Sequence, residues 1–466
     1  MLNTLFYLGA ILILLILTPS IIGEFSPSLN LVYTCIYFTL VILFFIRHKK
    51  ITKNWMRFDF IFLIGFTIVH IQIPALASLG IEPEKPELIW INKNIVNFST
   101  WLSVISITIW MWGYSSYKTV NDKTTQKINF QKKTNHLVHD SLLTLTFIFF
   151  IITAGPVLFS GIYDGGESWG EGAKYIFLIL NALLYLRIIY FFKEISQSSK
   201  IYTIFKDFLS NRIFFIIVSS FILIFLLIGD RGPILKILIL FFGSYAIFIK
   251  PISLKKIIFF ILTGALIFTI IGMGRGKDSS TFNNQNIFER GYSSLIDSDS
   301  INITGELAGS NRILYMALDS VPEKHPYLYG TTYLVNIAGA FPFLAGIVVN
   351  TFDIPLMYRG TSNFFTIISL GNHATWGVGS EVIADIYVNF SIYGVFIIMF
   401  LFGRFSAKSF IKANSFNMIY VLIYLCLLMD ALSINRGQLL YPLQSIIYLL
   451  ILHHCFLFIN KFLPKK

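Results

Sequence analysis

The stretch RIFFIIVSSFILIFLLIGDRGPILKILILFFGSYAIF, residues 212–248, decides the fold class of this chain. A long apolar run ends at Gly229, presents Asp230 and Arg231, turns through Gly232–Pro233 and returns at once to apolar sequence. A hydrocarbon layer of about 30 Å needs about 20 apolar residues per helix. The pattern therefore predicts two membrane-crossing helices joined by almost no loop, with a fixed positive charge in the turn.

Similar apolar runs recur along the whole chain. Its 466 residues are 55% hydrophobic and 13% charged, with a mean hydropathy of +0.72. A soluble domain of this length cannot bury so much apolar surface, whereas a bilayer can. We therefore predict an all-α, polytopic membrane bundle with about twelve spans. They lie at roughly 3–22, 28–46, 59–80, 99–116, 141–162, 174–192, 212–229, 233–250, 256–273, 380–403, 416–434 and 438–461.

The net charge of +12 is distributed unevenly between the two sides of this bundle. Lysine-rich loops alternate with lysine-poor ones, and the basic loops are short. Because basic residues are retained in the cytoplasm, the pattern predicts that both termini are cytoplasmic. The basic excess thus indicates topology rather than nucleic-acid binding. The lysine-rich loops are 47–57, 117–140, 193–212, 250–256 and 404–412.

One loop on the opposite, outer side is far longer than the others and runs from Gly274 to Gly379. Loops of such length are usually functional or disordered, and its apolar content favours order. Residues 312–322 have helical periodicity, whereas 327–349 are apolar enough to lie in or dip into the membrane surface. Because Gly339 and Pro342 interrupt that stretch, we do not count it as a span. The chain then divides into segments 1–211, 212–273, 274–379 and 380–466.

Arginine replaces lysine on the outer side in the second half of the chain. From residue 230 onward this side holds six arginines and two lysines. Arginine binds phosphate or carboxylate with two parallel hydrogen bonds and stays charged. Glycine adjoins five of the six, which permits close approach of the backbone to a ligand. The pattern favours a phosphate or polyanion site built from Arg231, Arg275, Arg290, Arg312, Arg359 and Arg436.

Five of these arginines also have a specific structural interpretation. Arg231 and Arg275 could reach lipid headgroups at the ends of spans, while Arg290 and Arg312 could pair with loop acids. Arg436, six residues after Asp430, could form a structural ion pair. His373, in GNHATWGVGSE, is either a polar residue of a folded loop or a functional imidazole.

Two carboxylates stand where the tenth predicted span begins. Glu381 and Asp385 are four residues apart, so the helical period places them on one face. Ionisable groups at such positions face a cavity or a partner, and these could be counter-ions or include a catalytic base. The Asp-Ser-Asp triplet at 297–299 has the form of a metal-binding motif but lies in a Ser-rich outer stretch. We predict neither a metal nor a cofactor.

The chain from about residue 212 to about residue 450 resembles the Wzy-type polymerases of O-antigen, enterobacterial common antigen and capsule. The resemblance rests on GDRGP, on GRGK before the large loop, on YLYGTTYLVNIAGAFPF, on GNHATWGVGSEVIADIYVNFSIYG and on Arg436 before the last span. The related O-antigen ligases share this architecture. Their loop histidine is usually followed by Asn, Ser or Gln, where this chain has Ala374.

The resemblance implies a GT-C-like bundle in the bacterial inner membrane, with its active site facing the periplasm. The enzyme would polymerise undecaprenyl-diphosphate-linked repeat units at the outer leaflet without a metal, and would expel undecaprenyl diphosphate. Arg231, Arg275 and Arg436 would bind the diphosphate, with Arg359 as a weaker fourth ligand. His373 would be the base or position the acceptor, with Glu381 as the alternative. The remaining predicted substrate-binding residues are Arg290, Arg312 and Asp385.

Several partners and rival functions accompany this expectation. Membrane lipids, a flippase and a chain-length regulator are the expected partners. An O-antigen ligase or another lipid-linked glycosyltransferase is the main alternative. A flippase or transporter is a weaker one, because such chains usually carry internal repeats and ionisable residues near the midplane.

Overall fold

The computed structural model describes residues 2–49, 53–117, 136–159, 169–195, 200–274, 287–296 and 303–462. Within these ranges the chain is helical and contains no β-strand. The α-helices are α1 (Leu2–Ile16), α2 (Pro27–Lys49), α3 (Phe58–Phe66), α4 (Gln72–Ser78), α5 (Pro86–Ile89), α6 (Val96–Ser116), α7 (Leu137–Ala154), α8 (Ala173–Glu194), α9 (Ile201–Ser210), α10 (Arg212–Ile228), α11 (Arg231–Phe248), α12 (Leu254–Met273), α13 (Ile287–Ile296), α14 (Gly305–Ala308), α15 (Arg312–Ser320), α16 (Thr331–Gly339), α17 (Leu344–Thr351), α18 (Thr361–Leu370), α19 (Val382–Asn414), α20 (Met418–Met429) and α21 (Leu443–Phe462).

The predicted fold class, a polytopic helical membrane protein, is confirmed, but the count of twelve spans is not. In the described part of the chain, eight helical segments are long and apolar enough to cross a membrane. The number is nine if α9 and α10, bent by 96° at their junction, form one broken span. Each of the twelve predicted spans contains an apolar helix. However, α1, α20 and the apolar part of α21 are shorter than the other candidates, and α20 has only 12 residues.

The chain forms two compact units, which we describe separately. The first unit contains α1–α6 and α14–α20. The second contains α7–α13 and most of α21.

In the first unit α3 and α19 run in opposite directions. The guanidinium carbon of Arg57, just before α3, lies 5.7 Å from the ring centre of Phe410 near the end of α19. Beyond the other end of α3, His70 Nε2 lies 3.1 Å from Glu381 Oε1 at the start of α19. Arg57 and residues 404–412, which were expected to form a loop but belong to α19, therefore lie at the same end of this unit. This arrangement agrees with the alternation of lysines, and its relation to the cytoplasm stays a prediction.

The contact between α6 and α19 depends on two glycines. A Cβ at Gly113 would lie 2.1 Å from the carbonyl oxygen of Phe400, and one at Gly403 would lie 2.1 Å from that of Trp110. Small residues at such crossings let two helix backbones touch. The position of α19, which begins beside the candidate site, is thus set by close packing along its length.

The hairpin of residues 226–236 in the second unit forms as the sequence predicts. Gly229, at φ +81°, ends α10, and its N–H donates to the carbonyl of Phe225 (3.1 Å). Asp230 caps α11 by accepting a hydrogen bond from the N–H of Gly232 (3.1 Å). Arg231 is consequently the first residue of α11. A left-handed glycine and an aspartate cap account for the absence of a loop.

The segment 274–379 is partly helical, as predicted. The helix expected at 312–322 is α15, which spans Arg312–Ser320. The apolar stretch 327–349 breaks into the short helices α16 and α17, with the interruption between Gly339 and Leu344. The prediction that this stretch is not a continuous span is confirmed.

Candidate functional site

Two of the predicted arginines meet at the C-terminal end of α12. In the second unit, Arg231 Nη1 donates to the carbonyl of Phe268 (2.8 Å). Arg290, on α13, donates through Nε to the carbonyl of Gly274 (2.9 Å). The Gly274 carbonyl lies where the last turn of α12 carries partial negative charge and attracts cations, whereas Phe268 lies more than one turn earlier. Both side chains are half-buried and are held in a fixed orientation at this end of the helix.

Glycines in the last turn of α12 make these contacts possible. A Cβ at Gly272 would lie 2.7 Å from Arg231 Nη1, so a larger residue would displace the guanidinium. Cβ atoms at Gly274 and Gly291 would lie 1.9 Å from backbone carbonyl oxygens of the facing helix. Two of the glycines beside arginines in the sequence therefore let α12 and α13 cross in direct backbone contact.

The three other described arginines of the predicted site belong to the first unit, where each has a different partner. Arg312 lies over the ring of Trp376 (5.7 Å to its centre), and partial burial lowers the pKa of its guanidinium, which stays charged at neutral pH. Arg359 donates to the carbonyl of Ile354 (3.1 Å). Arg436 forms an exposed ion pair with Glu306 (3.3 Å).

His373 is exposed in the connection between α18 and α19. Two hydrogen bonds hold the second half of this connection to α18. The N–H of Val378 donates to Thr366 Oγ1 (3.1 Å), and Ser380 Oγ shares a hydrogen bond with Thr361 Oγ1 (2.9 Å). The imidazole of His373 is thus accessible on a connection that is anchored at its far end.

Glu381 is the N-cap of α19. Its backbone is extended (φ −148°, ψ 144°), and its two carboxylate oxygens accept hydrogen bonds from the N–H groups of Ile383 (2.7 Å) and Ala384 (2.8 Å). Its carbonyl accepts from the N–H of Asp385 one turn later (2.7 Å), and the common face of the two carboxylates stays a prediction. Glu381 is fully buried, and its carboxylate is committed to the start of α19.

Asp385 is also fully buried, and it joins α19 to three other parts of the first unit. Its carboxylate accepts hydrogen bonds from the hydroxyls of Tyr333 on α16 (2.9 Å) and Thr361 on α18 (2.7 Å). It accepts a third from the backbone N–H of Leu439 (3.1 Å). Gln438 Nε2 donates in turn to Thr361 Oγ1 (3.0 Å). These uncharged donors satisfy a buried carboxylate, as low-dielectric surroundings require.

The sequence analysis missed His70, which the structure brings to Glu381. His70 lies in a π-helical turn, Thr67–Ile71, between α3 and α4, and its ring packs on Phe66 (4.1 Å between centres). Although Nε2 is 3.1 Å from Glu381 Oε1, neither ring nitrogen makes a geometrically acceptable hydrogen bond within the described chain. π-turns of this kind recur at functional sites. An ionisable residue inside an apolar span was the available signal.

The π-turn also contacts the part of the long loop that carries Glu306. It packs against α14 and against residues 309–311, and Gln72 Nε2 donates to Thr304 Oγ1 (2.8 Å). Glu306, on α14, is the partner of Arg436. The segment that contains Glu306, the ion-pair partner of Arg436, thus packs beside the π-turn that carries His70.

With this geometry established, the chain was compared with known proteins. Residues 4–466 match the family model described as O-antigen polysaccharide polymerase Wzy. The chain belongs to this family. No curated protein and no solved structure matches it. The predicted resemblance is confirmed, and the Wzy match also covers the first 200 residues, where only hydropathy had suggested it. Membership makes this membrane protein a glycosyltransferase of polysaccharide biosynthesis.

The predicted residues are distributed as follows in this Wzy chain. Arg231 and Arg290 share the end of α12, whereas Arg275 lies outside the described residues. The triplet at 297–299 also lies outside them. In the parts of the chain that are described, no group of three or more His, Cys, Asp or Glu side chains is arranged to hold a metal ion.

Proposed function

We propose that this Wzy protein joins undecaprenyl-diphosphate-linked oligosaccharide repeat units at the outer leaflet of the bacterial cytoplasmic membrane. A hydroxyl of one lipid-linked unit attacks the anomeric carbon of the lipid-linked chain. A carbon–oxygen bond forms there as the bond to the diphosphate oxygen breaks, and undecaprenyl diphosphate leaves with the electron pair. The hydroxyl proton passes to a base. Family membership supports the assignment as a polymerase, and the arginines support a diphosphate as the leaving group.

The observation that carries the proposal is the pair of arginines at the end of α12. Arg231 and Arg290 donate to main-chain carbonyls there, and Arg275 follows Gly274 directly in sequence. Charge that is oriented before the reaction stabilises a leaving diphosphate without reorganisation at the moment of bond cleavage. For the first unit we propose separately that Arg436 and, more weakly, Arg359 bind phosphate, and that Arg312 and Asp385 bind substrate.

His373 is the base that we propose, or the group that positions the acceptor hydroxyl. Its exposed imidazole can take a proton from a bound sugar and release it to water. Glu381, the alternative, is buried, and both of its oxygens already accept amide hydrogen bonds. These contacts favour His373 as the group that meets substrate.

Guanidinium groups take the part that a divalent cation plays in other diphosphate chemistry, so we propose that the reaction needs no metal and no cofactor. Both termini would lie in the cytoplasm, with the arginines facing the periplasm. A flippase would supply the lipid-linked units, and a chain-length regulator would set the product length.

Replacement of Arg231 tests this proposal. We expect Arg231→Ala to accumulate in the membrane at the wild-type level and to leave glycans of a single repeat unit, because the diphosphate loses a preorganised ligand. Arg231→Lys should also fail, since an ammonium cannot donate in a planar fork. Arg404→Ala, at an exposed arginine on the lysine-rich side, is the matched control and should give normal ladders. Glycan length is read on gels, and normal ladders from Arg231→Ala would remove this residue from the site.

The same assay with purified protein and two lipid-linked units tests the metal. Polymerisation should persist in excess chelator. Inhibition by chelator that added Mg²⁺ or Mn²⁺ reverses would contradict metal independence and leave the assignment of Arg231 untouched.

A further inference from the structure

We infer that α16 and α17 form a re-entrant hairpin whose outer face is buried among the acyl chains of membrane phospholipids. The hairpin comprises residues 331–351 and lies in a stretch, 327–350, that contains no Asp, Glu, Lys or Arg. Its helices have 9 and 8 residues, which correspond to about 14 and 12 Å at 1.5 Å per residue. Neither helix can cross a hydrocarbon layer of about 30 Å, so the chain must enter and leave on one side.

The outer face of the hairpin is apolar, and the described part of the chain does not cover it. Five large side chains on both helices and in the turn between them keep 42–78% of their surface exposed. A contiguous apolar surface of this kind marks an interaction site when it occurs on a folded protein. The exposed residues are Leu334, Ile337, Phe341, Phe343 and Ile347.

The inner face binds α19 at positions inside a candidate membrane span. Thr332 Oγ1 donates to Asn389 Oδ1 (3.0 Å), and the hydroxyl of Tyr333 donates to Asp385. Asn389 lies seven residues beyond the first residue of α19, or about 10 Å along its axis. The part of α19 that contains no Asp, Glu, Lys or Arg runs from residue 386 to residue 403, or about 27 Å, which matches the hydrocarbon layer. A hairpin bonded to Asp385 and Asn389 is therefore fixed at the outer limit of this uncharged stretch and within it.

Part of the backbone in the turn between the helices is hydrogen-bonded within the protein. The N–H groups of Ala340, Phe341 and Leu344 donate to carbonyls within the hairpin, and Pro342 has no N–H. The carbonyl of Gly339, where α16 ends, accepts a hydrogen bond from Gln444 Nε2 (3.0 Å). Non-helical backbone is tolerated at membrane depth only when its polar groups are satisfied within the protein. These bonds lower the cost of placing the turn in hydrocarbon.

Spin-label accessibility in vesicles tests the inference. A parent without Cys35, Cys426 and Cys455 carries single cysteines at Ile337 or Ile347 (I337C, I347C), labelled with a nitroxide and reconstituted into phosphatidylethanolamine–phosphatidylglycerol vesicles. Glu323→Cys, at an exposed site just before the hairpin, is the matched control. We expect oxygen, which concentrates in hydrocarbon, to relax the labels at 337 and 347 several-fold more than a water-soluble nickel chelate does. At 323 the order should reverse.

Two results would overturn the inference. Strong relaxation by the nickel chelate at 337 and 347 would place the face in water. Weak relaxation by both reagents would mean that protein, such as a second copy of this chain, covers it. Only variants that elute like the parent are scored, and Leu334→Cys on the same face replaces a variant that does not fold. Because these vesicles contain no lipid-linked glycan, the result is independent of the proposed polymerisation.

Discussion

Asp59 and Asp385, two carboxylates that the first unit buries in the first turn of a helix, are stabilised in different ways. Asp59, in the first turn of α3, pairs with Arg57, whose Nε donates to Oδ1 (2.8 Å). Asp385, in the first turn of α19, accepts from two hydroxyls and one amide. The first carboxylate has a full countercharge from the same stretch of chain. The second depends on uncharged hydrogen-bond donors from three separate parts of the chain.

This difference shows how each end of the unit is organised. The ion pair at Asp59 is local, and the stabilisation depends on one residue. The network at Asp385 holds α16, α18 and the residues before α21 in one arrangement around the start of α19, beside the connection that carries His373. A network spread over several weak donors should tolerate single losses better than an ion pair does.

The largest effect should follow removal of the cation beside Asp59. We expect Arg57→Met to reduce the free energy of unfolding by about 3–5 kcal/mol, because a buried carboxylate is left without its partner. Chemical unfolding in detergent measures the change. The double variant Arg57→Met/Asp59→Leu is the control and should recover most of the loss. A loss below about 1 kcal/mol for Arg57→Met would mean that water reaches Asp59.

A smaller effect should follow from Asp385→Asn. The amide keeps the shape of the carboxylate, but its NH₂ group faces a hydrogen-bond donor where the carboxylate has an acceptor oxygen. We therefore expect the free energy of unfolding to fall by about 1–3 kcal/mol in the same measurement. Asp207→Asn, at an exposed carboxylate, should change little. If Asp385→Asn proved as costly as Arg57→Met, the contrast between the two carboxylates would fail.

The smallest effect should come from Tyr333→Phe. It removes one of three donors to Asp385 and should cost about 0.5–1.5 kcal/mol. A double-mutant cycle with Asp385→Asn separates the hydrogen bond from the packing of the ring on Phe390. Additive losses would show that the hydroxyl of Tyr333 contributes nothing through Asp385.

The sequence predicted the features of this protein that depend on neighbouring residues. The hairpin at 226–236 was predictable because Gly229 and Asp230 act within one turn of their own helices. The break in 327–349 was predictable from Gly339 and Pro342 for the same reason. The lengths of the spans were less predictable. The end of α20 after 12 residues depends on packing rather than on composition.

The candidate site was harder to predict because its contacts join distant parts of the chain. Arg231 and its partner Phe268 lie on two different helices. The residues near Asp385 in sequence give no indication that Tyr333 and Leu439 donate hydrogen bonds to it. At Glu381, helical periodicity did not reveal that the carboxylate caps α19. His70 could have been found as an ionisable residue in an apolar span, but its π-turn has no signature in the sequence.

The backbone of α19 is interrupted at Ser391, which has φ 60° and ψ −172°. The nine residues before it are bonded to α16 and α18, whereas those after it pack on α6 through Gly403. A rotation about this one residue would change the angle between the two parts of α19, and the packing of the second part on α6 would be preserved.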